Sequence, residues 1–325
     1  MKEVIIGNND AGQRLDRFIA KAVPSLPASL AQKYIRIKRI KIDGKAAKRD
    51  QRLLPGQTVT MYINDEFFSA PRSGEEYRDI PDPNLDIVYE DENILLINKP
   101  AGVLSHSDEA YDRASALSRI QAYLFQSGQW RPRGENAFAP ALCNRLDRNT
   151  SGIIVAAKNA EALRIVNTKF KQREIEKRYM AIVHGEPRPA SRRLEGHIFK
   201  DSSKNLVYMT KGGSPGEKPA VLEYRTISVS GALALLECNL ITGRTHQIRA
   251  QLADFGHPLL GDGKYGSERL NKPYGEARQA LCSYKLVFSF KTDAGALSYL
   301  DKSAFILREI PFIKKYFPTI DFLQS

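Results

Sequence analysis

An aspartate set between two arginines is the arrangement in this sequence best suited to chemistry. It lies in Cys143-Asn144-Arg145-Leu146-Asp147-Arg148-Asn149-Thr150-Ser151-Gly152. Nearby cations favour the charged form of a carboxylate, so Asp147 is expected to be ionised. Two readings of the residues stand side by side. Asp147 is a structural ion pair with Arg145 and Arg148, or it is a nucleophile facing an anionic substrate. The run Ile153-Ile154-Val155-Ala156-Ala157 that follows reads as a buried strand, so Asp147 sits on a loop at the mouth of a sheet.

Two further stretches carry groups of interest. Lys177 to Val183 reads as a strand, and Tyr179 lies where a strand end can present a side chain to a cleft, although a strand tyrosine more often belongs to a core. Leu235 to Leu252 reads as a strand ending at Thr242-Gly243 and a helix from about Thr245. Ile248, Leu252 and Phe255 share the core face of that helix, and Arg249 lies off it near the N-terminal end. Gly256 stops the helix before His257-Pro258-Leu259-Leu260-Gly261-Asp262. His246 and His257 have neither HExxH spacing nor a cysteine partner, so no metal site is expected.

The elements that must position these groups follow from pattern. Leu85 to Glu90 and Ile94 to Asn98 are strands joined by an Asp91-Glu92-Asn93 turn, with Lys99-Pro100-Ala101-Gly102 as the loop beyond. Ala114 to Phe125 is helical. The Gly/Pro/Arg loop 127–140 surrounds Trp130, read as a core plug rather than a base-stacking platform. Asn159 is the expected cap of a helix to about Lys171, with Leu163, Val166 and Phe170 inward. Its basic end, Lys169 to Arg173, is either a solvated helix end or an RNA contact.

Composition narrows the class. The 325 residues carry 42% hydrophobic and 26% charged residues, the mark of a globular protein. No apolar run is long enough to span a membrane, and Met1 to Asn9 lacks the apolar core of a secretion signal, so a cytoplasmic protein is expected. Cys143, Cys238 and Cys282 suit neither a disulfide framework nor a zinc site. The net charge of +12 points to a polyanionic partner, with a basic enzyme for small anions as the alternative. Residues 1–63 hold 13 Lys/Arg against 5 Asp/Glu, whereas residues 64–92 hold 2 against 10. Two basic blocks joined by an acidic connector imply two binding units.

In the first block, Leu15, Phe18, Ile19 and Val23 line one helix, which Pro24 ends. Leu30, Tyr34 and Ile37 line a second from about Ala28 to Lys38; a short strand with an Asp43-Gly44 turn follows at 40–45, and a Leu54-Pro55-Gly56 turn precedes a closing strand at 58–63. Its "G-Q-R-L-D", "I-K-I-D-G-K" and "L-L-P-G-Q-T-V" stretches resemble the alpha-L (ribosomal-protein S-four type) RNA-binding domain. Lys33, Arg36, Lys38, Arg39 and Lys41 would then form a phosphate-contacting face.

The body resembles the RluA-type pseudouridine synthases. The matches run in order: "L-I-N-K-P-A-G-V" at 96–103, "R-L-D-R-N-T-S-G" at 145–152, "K-R-Y-M-A-I-V-H-G" at 177–185, "T-G-R-T-H-Q-I-R" at 242–249, "G-H-P-L-L-G-D" at 256–262 and "R-Q-A-L" at 278–281. The resemblance implies an α+β fold with a mixed, mainly antiparallel central sheet and flanking helices, plus the small N-terminal module. It implies an isomerase that turns uridine into pseudouridine without a cofactor. Asp147 matches the essential aspartate, Tyr179 the tyrosine that stacks on the base, Arg249 the partner of the aspartate and Leu281 an apolar pocket residue. Arg145, Arg148, Arg244 and His246 join the expected RNA-binding set, the two flanking arginines either touching RNA or bracing the loop. Asn144, Gln251 and Cys282 stand where the family commonly has histidine, which suggests a sub-branch. The expected organisation is an alpha-L domain at 1–63, an acidic linker at 64–84, a catalytic domain at 85–310 and a tail at 311–325. The expected partner is RNA, large-subunit ribosomal RNA ahead of tRNA, with no membrane, and the protein is expected to be a monomer. The rival from another class is a non-catalytic RNA-binding or ribosome-assembly protein.

Overall fold

The computed structural model describes residues 1–69, 76–107, 114–132 and 135–323. The N-terminal unit is built from β1 (Lys2–Ile5), α1 (Leu15–Ala22), α2 (Ala28–Arg36), β2 (Ile40–Ile42), β3 (Lys45–Ala46) and β4 (Thr58–Met61), with sheet order β1-β4-β2-β3. Leu15, Phe18 and Ile19 of α1 are buried with Ile40, Val59 and Met61, as the helical spacing requires. The second helix departs from expectation. It ends at Arg36, its buried face is Ala31 and Ile35, and Ile37 lies past the last turn and is 48% exposed. The strand β1 had no counterpart in the sequence pattern; only Val4 of its four residues is buried, so it carries little apolar signal.

After α3 (Glu66–Ser69), the body comprises β5 (Ile87–Glu90), β6 (Ile94–Lys99), α4 (Ala116–Gln126), β7 (Ala141–Leu142), β8 (Ser151–Ala157), α5 (Ala160–Lys171), β9 (Ile175–His184), β10 (Ser191–Asp201), β11 (Leu206–Thr210), β12 (Lys218–Ser230), β13 (Leu233–Leu240), α6 (Gln247–Asp254), α7 (Glu268–Asn271), β14 (Leu281–Phe288), β15 (Ala304–Ile306) and α8 (Pro311–Tyr316). Its sheet runs β11-β10-β12-β13-β9-β14-β8-β6-β5, with β15 on β14 and β7 on β8. All its pairs are antiparallel except β14 with β8. The mixed, mainly antiparallel α+β architecture is the one expected.

The central strands are covered on both faces, which is why they read as unbroken apolar runs. Ile153, Val155, Met180, Ile182 and Tyr284 face a core that includes Val166 of α5 and Ile313 of α8. Ile154, Ala156, Tyr179, Ala181 and Leu281 face the opposite core, which includes Ile120 of α4 and Ile248 and Leu252 of α6. Strand alternation thus assigns Tyr179 and Leu281 to one side of the sheet.

Two segments taken from sequence as connecting or trailing chain are packed. Within the acidic 64–84 stretch, Tyr77 is buried, with its ring centroid 5.0 Å from that of Trp130. This contact also makes Trp130 the core plug that was expected. The 311–325 tail contributes α8, and Ile313, Phe317 and Phe322 are buried in the main core. Sparse aromatic residues in a charged context hid both. The N-terminal unit is also latched to the body. Buried Asp10 accepts hydrogen bonds from Asn136 Nδ2 (2.7 Å) and Ala137 N (3.1 Å), and Asn9 Oδ1 accepts from Ala160 N at the start of α5 (3.1 Å).

The basic end of α5 is not uniformly solvated. Lys169 is 1% exposed and donates to Glu174 Oε2 (2.7 Å), so it is neither a free helix end nor an RNA contact. That hydrogen bond, with donors from Lys291 and Thr292, holds Glu174 down at about 2 against an ordinary 4.5. A depressed carboxylate contributes stability that is present above its unfolded pKa and lost as pH falls through its folded one. In chemical denaturation from pH 6 to pH 2, the advantage of the wild-type chain over Glu174→Gln is therefore largest above about 4.5 and fades toward about 2. An advantage that stays constant across that range would contradict the pairing.

Candidate active site

The loop carrying Asp147 is fixed from behind. Thr150 N donates to Asp147 O (3.1 Å), closing a turn, and Gln279 Nε2 donates to Thr150 Oγ1 (3.2 Å). Ser105 Oγ donates to Leu146 O (2.7 Å) and accepts from Leu146 N (3.0 Å). Lys99, fully buried, donates to the carbonyls of Pro100, Val103 and Arg148 at 2.9, 2.8 and 3.1 Å. Burial pushes the Lys99 ammonium down to about 8, while the Asp147 carboxylate opposes the shift. Thus the Lys99-to-Ser105 segment grips the aspartate loop through backbone groups on both sides of Asp147.

Gly152 lets β8 meet β14 directly beyond this loop. Its φ is +117°, and a Cβ there would come within 2.3 Å of Ser283 O. Only glycine tolerates both the backbone angle and the approach. The resulting register aligns Gly152 with Ser283 and Ser283 with Tyr179 across three strands. Tyr179 is 6% exposed, and burial raises its phenol above the ordinary value, so it is neutral at pH 7.

The partner of Asp147 comes from a distant part of the chain. Arg249 Nη1 donates to Asp147 Oδ2 at 3.0 Å. The same guanidinium grips Asp262 bidentately, Nε to Oδ2 at 2.7 Å and Nη2 to Oδ1 at 2.9 Å. Asp262 Oδ1 also accepts from the amides of Lys264 (2.8 Å) and Tyr265 (3.1 Å). Burial alone would raise the pKa of Asp262, but the Arg249 hydrogen bonds and charge bring it below the ordinary carboxylate range. Burial likewise opposes the charge on Arg249, and the two carboxylates more than restore it. The fork geometry explains why an arginine serves here: one planar group holds two acids in fixed directions.

His246 completes the set. It caps α6 in the left-handed region (φ 51°), and its Nε2 lies 3.9 Å from Asp147 Oδ2. Its Nδ1 is 2.9 Å from the Tyr265 hydroxyl, which itself accepts from Val207 N at 2.9 Å. The Tyr265 hydroxyl thus ties one ring nitrogen of His246 to β11, and the other ring nitrogen faces Asp147. Burial lowers the His246 pKa and so favours the neutral form, opposed by Asp147. Both contacts of the aspartate fall on Oδ2; among the described residues none falls on Oδ1.

These groups open onto a cavity of about 430 Å³ lined by Asp147, Tyr179, Leu281, Ile248 and Leu240, with Arg145, Lys171, Lys177 and Arg244 also in its lining. The four residues expected to do chemistry are therefore brought together. Arg145 and Arg148 make no ion pair with Asp147: Arg145 lines the cavity and is exposed, and Arg148 Nε donates to Gly102 O (3.1 Å), bracing the loop. The local ion pair is thus corrected in favour of Arg249. His246, expected among RNA contacts, has a side chain only 10% exposed and instead faces the aspartate. Arg244 Nε donates to Pro219 O (3.2 Å) at the cavity rim. In the N-terminal unit Lys33, Arg36, Lys38 and Arg39 are exposed, while Lys41 is half-buried 5.5 Å from the Tyr62 ring.

The three departures from histidine each have a place in the packing. Asn144 Oδ1 accepts from Val155 N (2.8 Å), Gln251 accepts from Gln247 Nε2 (2.9 Å), and Cys282 is buried in the main core with its thiol pushed up to about 12 by burial. Lys99, Asp262 and Tyr265 were given no role from sequence. Lys99 and Asp262 lie inside recognised motifs, so the signal was present; Tyr265 had none. Breaking a buried ion pair from one side costs about 3–5 kcal/mol. Asp262→Ala, which leaves Arg249 buried with a single partner, should lower the unfolding free energy by about that much in urea titrations. A loss below about 1 kcal/mol would mean that water or relaxation replaces the pair.

The chain is similar to known proteins in sequence and fold. Residues 93–254 match the RNA pseudouridylate synthase family. Ribosomal large subunit pseudouridine synthase D of Neisseria meningitidis is 30% identical over 301 residues, which span 89% of this chain and 75% of that protein. Ribosomal large subunit pseudouridine synthase C of Escherichia coli is 29% identical over 292 residues, 86% of this chain and 85% of that protein. The solved structure of human RNA Pseudouridylate Synthase Domain Containing 4 has the same fold, with a TM-score of 0.53 at 24% identity over 70% of this chain and 89% of that one. On the sequence relationship, the chain belongs to the RNA pseudouridylate synthase family, of the RluA-like kind, and is an isomerase that converts uridine in RNA to pseudouridine.

Proposed function

We propose that this enzyme modifies large-subunit ribosomal RNA and that Asp147 is its catalytic carboxylate. The observation that carries the site assignment is the Arg249 bridge, which ties Asp147 Oδ2 to buried Asp262 and leaves Oδ1 unengaged among the described residues. The names of the relatives from Neisseria meningitidis and Escherichia coli, ribosomal large subunit synthases D and C, support the choice of RNA.

The reaction breaks the bond between N1 of uracil and the anomeric carbon, turns the base, and joins its C5 to the same carbon. The proton on C5 departs and N1 gains one, so atoms and electrons balance without a cofactor. Attack on the sugar, stabilisation of a cationic sugar and removal of a sugar proton all need a negative oxygen beside the anomeric carbon. Oδ1 supplies it. The neutral Tyr179 ring forms an apolar wall with Leu281 against which the base stacks, and its phenol is the candidate proton carrier. Arg145, Lys171, Lys177 and Arg244 offset the cost of drawing the uridine out of its stack by meeting the flanking phosphates. The N-terminal unit acts as an alpha-L type RNA-binding domain through Lys33, Arg36, Lys38, Arg39 and Lys41.

Turnover is measured as tritium released from RNA labelled at uracil C5. Asp147→Asn should bind RNA like the wild-type enzyme and release no tritium. Arg249→Lys keeps one charge but cannot hold both carboxylates, and should lower kcat at least about 100-fold with KM changed little. Turnover retained by Asp147→Asn would remove the aspartate from its role. For the N-terminal unit, replacing Lys33, Arg36 and Arg39 by glutamine should flatten the salt dependence of RNA affinity, by about 0.9 for each duplex phosphate that the variant no longer neutralises. An unchanged slope would remove this face from the interface.

A further inference from the structure

The hairpin of β10 and β11 stands apart from the cavity and has a surface the reaction does not use. Phe199 and Tyr208 are direct cross-strand partners, and they are 42% and 43% exposed. Their neighbours Ile198 and Val207 turn to the other face and are buried. The pleat therefore commits two large aromatic side chains to solvent at adjacent positions, where cross-strand pairs stand about 5 Å apart. Residues 197–218 add four lysines and two acids. Asp201 Oδ1 accepts from Ser203 N, Ser203 Oγ and Lys204 N and also feels the Lys204 charge, and Glu217 Oε2 accepts from Ser214 N, so the segment keeps an excess of lysines over acids. Lys200, Lys204, Lys211 and Lys218 are exposed, and none forms an ion pair with a described residue.

We propose that this hairpin face is a second RNA-docking surface, on which Phe199 and Tyr208 stack unpaired bases flanking the target uridine while the lysines meet the phosphates. Exposed rings amid an excess of lysines form a surface of the kind that single-stranded nucleic acid recognises. A neutral protein surface would match the rings but not the excess of lysines. The hairpin is also joined to the site. Lys264 Nζ donates to Asn205 O (2.7 Å) at its tip, and Val207 N donates to the Tyr265 hydroxyl that orients His246 beside Asp147. RNA held on the outer face of β11 thus lies on the strand whose backbone donates to the Tyr265 hydroxyl beside His246. This inference rests on the pseudouridine synthase reading only for the identity of the flanking RNA.

The test uses the full chain, a labelled single-stranded oligouridylate of twenty nucleotides and an RNA duplex of the same length. Phe199→Ala/Tyr208→Ala should weaken oligouridylate binding at least about tenfold with an unchanged salt slope, since stacking and not charge is removed. Its duplex binding should stay as in the wild type. Phe199→Tyr/Tyr208→Phe, which keeps both rings, should restore affinity. Wild-type affinity for oligouridylate in the double alanine variant would overturn the proposal. So would equal losses for the two probes, or light scattering in which the wild-type chain is dimeric and the double alanine variant monomeric. Tritium release by the wild-type enzyme, run in parallel, separates the two claims: its absence would defeat the catalytic reading, whereas the oligouridylate result reports on the hairpin alone.

Discussion

One guanidinium between two carboxylates governs the site. Arg249 is buried, and a buried cation is tolerable only if its charge and donors are met. Asp262 meets them from behind with a bidentate pair and is itself fixed by the amides of Lys264 and Tyr265. The donor left over, Nη1, reaches Asp147. Asp147 is therefore positioned by an ion pair in which it is the minor partner, and its side chain stays 26% exposed. An aspartate paired one-to-one with a surface arginine would be neither oriented nor reliably free.

The rest of the fold delivers the three members of this bridge. Asp147 arrives on a loop gripped by Lys99 and Ser105, ahead of a strand that can reach β14 only because residue 152 is glycine. Arg249 arrives on α6, whose entry is tied by Gln247: its Oε1 accepts from Thr242 Oγ1 (2.8 Å) and Arg244 N (3.0 Å). Tyr179 and Leu281 arrive by strand parity, on the face of the sheet that α6 covers. Each device uses backbone groups or buried polar side chains, so the cavity is assembled before substrate enters. Such preorganisation lets a carboxylate act without reorganising water at the moment of reaction.

The sequence made the cavity residues more legible than their supports. Asp147, Tyr179, Arg249 and Leu281 stood out because they sit in motifs beside strong strand and helix patterns, and the apolar runs at 94–97 and 153–157 declared a sheet covered on both sides. Local charge misled where contacts are long-range. Arg145 and Arg148 adjoin Asp147 in the chain, yet a residue 102 positions away is its partner. Lys169 read as part of either a solvated helix end or an RNA contact, and only the approach of Glu174 and Thr292 reveals a buried ammonium. The packed roles of Tyr77 and of Phe317 and Phe322 were hidden because isolated aromatic residues in polar segments carry no periodicity. The module at the N-terminus was legible as a basic helical unit, but its latch to the body through Asn9 and Asp10 uses polar side chains that pattern reading assigns to loops.

The central claim is that a carboxylate held by Arg249 isomerises uridine in large-subunit ribosomal RNA. Chemical labelling of pseudouridine at single-nucleotide resolution tests it most directly, since the product has the mass of uridine. Ribosomal RNA from cells lacking this gene should have lost at least one pseudouridine in the large subunit, restored by the wild-type gene and not by Asp147→Asn. An unchanged map, or restoration by the asparagine variant, would contradict the account.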